Sequence, residues 1–149
     1  MSADSPDPQT PGALTSLTDD ERLFQASIAE FAAAEVAPHV REMDEHQKIP
    51  RPLIDKLFGL GMMGVEIPEQ YGGAGGTFFH SVVIVEELSR VDPSVGVLVD
   101  VQNTLVINAI MRWGSPDLKA RLLPRLAAST VGAYGLSEAG SGSDAFALV

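Results

Sequence analysis

The amino-acid sequence predicts a mostly α-helical fold that gives way to the start of a β region near residue 130. Three observations predict it. Helix-start signals stand at Thr18, Asp92-Pro93 and Ser115-Pro116. Apolar residues recur behind each of them at three- and four-residue spacing, the period of a helix with one buried face. Over 131–136 that spacing stops, and a short apolar stretch with glycines reads more like a strand. Helices first and strands later suggest two layers or two domains.

Residues 1–17 carry Pro6, Pro8, Pro11 and Gly12 among small polar residues, too little apolar surface to offset ordering, and are expected to form a flexible tail. Thr18-Asp19-Asp20-Glu21 is a capping box, in which the Thr18 hydroxyl serves a free amide and Glu21 reaches back. Asp19 and Asp20 suit the positive end of the helix dipole. Phe24, Ile28 and Phe31 form the apolar stripe of this first helix, which Pro38 ends or kinks. A second helix is expected over 51–60, with Leu53, Leu57 and Leu60 on one face and Gly59 and Gly61 at its exit. The segment 64–77, with Pro68, Gly72, Gly73, Gly75 and Gly76, reads as a loop.

A third helix is expected over 78–90, with Phe78, Val82 and Val85 as its apolar face; the β-branched run 82–85 leaves a strand open, and length favours the helix. Asp92 as cap and Pro93 at the first helical position open a fourth helix, stopped by Gly114. Ser115-Pro116-Asp117 repeats the signal, and Leu118, Leu122 and Leu126 follow, with a break expected near Pro124. The division expected is a tail over 1–17, a helical domain over 18–129 and the start of a β domain over 130–149.

With 149 residues the chain has one domain's length, enough to bury roughly 70% of its unfolded surface. A net charge of −10 argues against nucleic-acid binding, which needs clustered Lys and Arg, and against docking on an anionic membrane. The most apolar stretch, 91–110, is interrupted by Asp92, Asp100, Gln102, Asn103 and Asn108, so it reads as a buried helix short of the ~18–20 residues of a membrane span. The absence of cysteine removes disulfides, thiolate metal sites and a cysteine nucleophile. The first sixteen residues show neither an apolar secretory core nor an Arg-rich transit pattern, so a cytoplasmic location is expected. His39, His46 and His80 lie outside any metal-binding spacing, and no metal site is expected.

Two motifs fail on inspection. Gly135-Leu136-Ser137-Glu138-Ala139 resembles a nucleophile elbow, but Ala139 replaces the second glycine and no histidine follows. The glycines at 72, 73, 75 and 76 lack the Lys-Ser/Thr of a phosphate loop and read as a turn needing positive φ. The informative segment is 133–144. Glycines 135, 140 and 142 let backbone amides approach a ligand, Ser137, Ser141 and Ser143 add hydroxyls, and a glycine-rich bend forms an anion-binding concavity. Taken alone it is compatible with a plain turn.

Four segments in order resemble the acyl-CoA dehydrogenase family: Glu35-Val36-Ala37-Pro38 with Asp44, the run 59–75 around Pro68-Glu69-Gln70-Tyr71-Gly72-Gly73, the stretch from Gly114-Ser115 to Leu123-Pro124, and Leu136-Ser137-Glu138-Ala139-Gly140-Ser141-Gly142-Ser143-Asp144. Gln102-Asn103-Thr104-Leu105 together with Ser137-Glu138-Ala139-Gly140 resembles the short/branched-chain members most. The resemblance implies the N-terminal helical domain of that fold with the first strand region of its middle β domain, truncated before the C-terminal helical bundle. It implies FAD as cofactor, an acyl-CoA substrate oxidised to the trans-2-enoyl-CoA, an electron-transferring flavoprotein as acceptor, and a homotetramer. Carried over, Tyr134, Gly135, Leu136, Ser137, Glu138, Ala139, Gly140, Ser141, Gly142 and Ser143 form the cofactor-binding run. Within it the backbone of Tyr134, Leu136 and Ser137 meets the flavin ring, with the Ser137 hydroxyl near N5. Gly142 and Ser143 approach the pyrophosphate, Ser143 also touches the CoA part of the substrate, and helix 93–113 lines the acyl pocket.

The family's catalytic base is a glutamate of the C-terminal bundle, so no catalytic residue is assigned among the glutamates of this chain. The expectation is that the chain alone neither retains FAD nor turns over substrate. Two other readings stay open: an inactive helical interaction module derived from the family, and a related acyl-CoA oxidase or flavin monooxygenase.

Overall fold

The computed structural model describes residues 16–148, so the expected tail lies outside the described residues apart from Ser16 and Leu17, as does Val149. Seven α-helices account for most of the described chain: α1 (Asp19–Phe31), α2 (Val40–His46), α3 (Arg51–Gly59), α4 (Phe78–Val91), α5 (Pro93–Asp100), α6 (Asn108–Trp113) and α7 (Pro116–Ala128). The mostly helical fold expected from the sequence is what forms.

The starts of these helices are local events, and they fall where the caps predict. The Thr18 hydroxyl accepts from the Glu21 amide at 3.2 Å while the Glu21 carboxylate accepts from the Thr18 N–H at 2.7 Å, a complete capping box. Asp92 accepts from the amides of Ser94 and Val95 at 2.8 and 3.0 Å, and the Ser115 hydroxyl accepts from Leu118 at 3.2 Å. A cap absent from the sequence reading opens α4, where His80 Nδ1 accepts from the Thr77 N–H at 3.1 Å, and its ring meets Phe24 edge-on at 5.0 Å between centroids.

Pro38 kinks its helix and does not end it: α1 widens into a π-helical turn, Ala32–Val36, tightens to a 3-10 turn, Ala37–His39, and resumes as α2. The adjustments absorb the hydrogen bond that proline cannot donate. Pro124 likewise sits inside α7 with no break, because Leu123, Leu126 and Ala127 hold that turn by burial. The α4 face is a correction of substance. Phe78 and Val82, the expected apolar face, are exposed, and the buried face carries Ser81, Val83, Ile84, Glu87 and Leu88. In a helix apolar nearly all round, spacing alone does not choose a face; packing against α1 and α5 does. Similarly Leu60 is exposed while Phe58 joins Leu53 and Leu57 in the core.

The main core runs from Ile28, Ala32 and Val36 through Leu57 and Met63 to Ile84, Leu88, Val95 and Val99. A second cluster, Ile67, Ile107, Leu123, Leu126 and Ala127, lies between α7 and the 64–77 loop. Helices α5 and α6 are joined by a π-helical segment, Val101–Ile107, into one helix, Pro93–Trp113, of 21 residues. Contrary to the sequence reading, it is long and apolar enough to cross a membrane by length and composition, with mean hydropathy 1.4 in its most apolar window. Its role in this fold is that of a central helix: Val95, Val99, Gln102, Asn103 and Ile107 are all buried, and both amides bond the backbone of neighbouring elements.

Among the described residues no strand forms. The stretch 131–136, expected to begin a strand, is irregular backbone, as is Ser137, and an isolated antiparallel bridge between Glu138 and Ser141 follows. A strand needs a neighbour for its alternate amides and carbonyls, and the described residues supply none for 131–137.

Candidate functional site

The run 134–143 is delivered by α7 and by the π-helical segment. Leaving α7, the chain passes Thr130, whose carbonyl accepts from Gln102 Nε2 at 3.0 Å; a second bond from the same nitrogen goes to the Leu126 carbonyl at 3.1 Å. Two residues on, the Gly132 N–H donates to Gln102 Oε1 at 2.7 Å. Gln102 is 1% exposed, so a single buried amide ties the end of α7 to the start of the run. Gly132 also lies hard against Val106, where a Cβ would stand 2.5 Å from Val106 Cγ1.

Beyond Gly132 the chain leaves the bundle. Tyr134 and Leu136 are about half exposed, and every residue from Ala133 to Gly140 is classed with the surface. Among the described residues no backbone group from Ala133 to Ser137 takes part in a hydrogen bond. Added Cβ atoms at Gly135, Gly140 and Gly142 would meet nothing within 4 Å. The donors here are thus free backbone amides beside the exposed Ser137 hydroxyl, a set suited to the edge of an electron-rich ring or to a phosphate.

The run then closes on itself. Glu138 and Ser141 exchange both backbone bonds, at 2.9 and 3.1 Å, and Asp144 caps a 3-10 turn, Ala145–Ala147, by accepting from the Phe146 amide. Ser141 differs from its neighbours. It is 4% exposed, and its hydroxyl donates to the Asp144 carbonyl. Of the three hydroxyls read as ligand donors, those of Ser137 and Ser143 face outward and that of Ser141 is committed to the turn.

Gln102, Val106 and Gly132 are absent from the expected site residues. A signal was present: two adjacent amides, Gln102 and Asn103, in an otherwise apolar helix, where a buried polar side chain must find partners. The 72–76 turn is bonded within itself. Gly72 and Gly75 take φ of +80° and +64°, and the turn bonds internally, Gly76 N–H to the Val65 carbonyl at 2.7 Å and Gly75 N–H to that of Ile67 at 2.9 Å. Among the described residues no group of three or more His, Asp or Glu could hold a metal ion.

Residues 18–130 match the family described as acyl-CoA dehydrogenase, N-terminal domain. The chain belongs to the acyl-CoA dehydrogenase family. Among curated relatives, the probable short/branched chain specific acyl-CoA dehydrogenase of Dictyostelium discoideum is 47% identical over 135 residues, which is 91% of this chain and 33% of that protein. A chain in the solved structure described as the electron transferring flavoprotein of Acidaminococcus fermentans superposes with a TM-score of 0.81 at 38% identity, over 89% of this chain and 35% of that one. The acyl-CoA dehydrogenase of Bacillus anthracis complexed with FAD superposes with a TM-score of 0.80 at 27% identity, over 90% of this chain and 23% of its own. This chain therefore spans about a third of the length of the curated acyl-CoA dehydrogenases it matches. The helical bundle is the family's N-terminal domain, and 134–143 stands at the edge of it.

Proposed function

We propose that this chain is the N-terminal portion of an FAD-dependent acyl-CoA dehydrogenase that oxidises a short or branched acyl-CoA to the trans-2-enoyl-CoA. The observation that carries the reading is the run of unbonded, exposed backbone from Ala133 to Ser137, rooted in the bundle at Gly132. Its donor chemistry fits a flavin, and a family relative holds FAD.

In this reading FAD, when bound, accepts the hydride removed from Cβ of the acyl chain. The backbone of Tyr134, Leu136 and Ser137 binds and orients the ring edge. The Ser137 hydroxyl supplies a hydrogen-bond donor where negative charge develops, an electrostatic contribution made by a group already in place. Gly142 and Ser143 serve the pyrophosphate, and Ser143 also meets the CoA portion of the substrate. The exposed apolar side chains of the long helix, Val97 and Leu105, offer a wall for a hydrocarbon chain. The proton at Cα goes to a base that no glutamate of this chain is assigned to be. Electrons leave to an electron-transferring flavoprotein, and the complete enzyme is a homotetramer.

The test joins residues 1–149 to the remaining two thirds of the Dictyostelium discoideum relative. The expected product is yellow and dehydrogenates 2-methylbutyryl-CoA or butyryl-CoA with an artificial electron acceptor, while residues 1–149 alone retain no flavin. A cooperatively melting fusion that purifies without flavin would falsify the reading and favour the interaction module. A fusion that reduces oxygen to peroxide in preference to the artificial acceptor would favour the oxidase.

A further inference from the structure

We infer that Gln102 and Val106, one turn apart on the π-helical segment, form a clamp on Gly132 that sets the position of the flavin-contact run, so that Gln102 is a positioning residue for the cofactor. The inference rests on the proposed flavin contact of 134–143 and adds to it the group that holds the run in place.

Two independent features meet at Gly132. The Gln102 carbonyl oxygen accepts its N–H at 2.7 Å, and Val106 occupies the space a side chain would need, 2.5 Å from a built Cβ. The first fixes the direction of the peptide plane, and the second fixes how far it lies from the helix. Gln102 is itself fixed, because its nitrogen donates to the carbonyls of Leu126 and Thr130 at 3.1 and 3.0 Å. With all these bonds made the amide has one orientation, since exchanging its oxygen and nitrogen would set a donor against the Gly132 N–H and an acceptor against two carbonyls.

Gln102 and Asn103 are neighbours on the π-helical segment and each is 1% exposed, so two buried amides serve different partners from one turn. Asn103 then takes the turn at Met62 and Val65, and Gln102 takes the segment leading to the run. Between Gly132 and Glu138 no hydrogen bond among the described residues holds the backbone, so Gly132 is the point at which the bundle holds the start of the run.

The experiment compares Gln102→Met, which keeps side-chain length and removes the amide, with Leu57→Ala, which weakens the core away from the run. In residues 1–149 without flavin, Gln102→Met is expected to speed amide exchange at Gly132 by about tenfold or more. Order parameters over 132–137 should fall toward the flexible range, below ~0.6. Leu57→Ala should lower the melting temperature while leaving those order parameters unchanged. Gly132→Ala approaches the clamp from the other side and should reproduce the loosening if Gln102→Met does not fold. In the flavin-loaded fusion, Gln102→Met should weaken FAD binding about tenfold. Unchanged exchange and order at 132–137 in both Gln102→Met and Gly132→Ala overturns the clamp, as does an equal change in Leu57→Ala. Loosening at 132–137 with unaltered FAD affinity leaves the clamp standing and overturns its role in cofactor placement. A fusion that binds no FAD even with Gln102 intact is the separate failure of the proposed function.

Discussion

The Asn103 side chain, 1% exposed, accepts the Val65 N–H at 3.0 Å and donates to the Met62 carbonyl at 2.8 Å and to the Val99 carbonyl at 3.0 Å. It thereby docks the turn after α3 onto the central helix with one amide. Asn103→Leu is close in size but leaves a buried amide hydrogen and a buried carbonyl without partners. Each such orphan costs roughly 1–3 kcal/mol, so a loss of about 3 kcal/mol is expected. Urea titration should show a lower midpoint at an unchanged slope.

Gly73 and Gly59 should respond to alanine in opposite directions. A Cβ at Gly73 would lie 2.1 Å from the Ile67 carbonyl oxygen, a backbone atom that cannot turn aside, so the loop must open. Gly73→Ala should cost about 3 kcal/mol or more. Gly59, in the last turn of α3, has nothing within 4 Å of a Cβ, and alanine there removes conformational freedom from the unfolded chain. Gly59→Ala should gain roughly 0.5 kcal/mol. Thermal and chemical denaturation of the two variants check the opposite signs.

The capping box gives a pH dependence. The backbone and side-chain hydrogen bonds from Thr18 hold the Glu21 carboxyl below its ordinary value of 4.5. The contribution is present above the ordinary carboxylate range and is lost as the pH falls through the lowered value. Thr18→Ala should melt roughly 2–4 °C below the parent at neutral pH. The difference should shrink in part in acid, because the parent loses the hydroxyl bond to the Glu21 carboxylate that the variant already lacks, while the backbone bond from residue 18 is common to both. A constant difference from neutral pH into acid would show that the Thr18 hydroxyl bond to Glu21 contributes nothing through the carboxylate's charge.

Ser137 and Ser141 should separate catalysis from construction of the turn. In the flavin-loaded fusion, Ser137→Ala should slow flavin reduction by substrate roughly 10- to 100-fold while leaving the melting temperature unchanged, since the residue is exposed. Ser141→Ala removes a buried hydroxyl that serves the Asp144 carbonyl. It should reduce flavin retention with little change in rate per bound flavin. Stopped-flow reduction and flavin content per chain distinguish the two.

The sequence by itself determined where most helices start. Thr18, Asp92 and Ser115 act on amides two or three residues away, so their effect needs no tertiary partner. It also determined the family, because four short motifs stand in order along one chain. The proposed flavin-contact run was legible as residue types, glycines and serines close together in one segment. The tertiary structure decided what depends on distant neighbours. It chose the buried face of α4, since Phe78 and Val82 are as apolar as the Val83 and Ile84 that packing selected. It carried α7 through Pro124, left 131–137 without a paired strand, and turned the Ser141 hydroxyl inward. Above all it joined Gln102 to Gly132, thirty residues apart, because a buried amide takes whatever partners the packed fold brings to it.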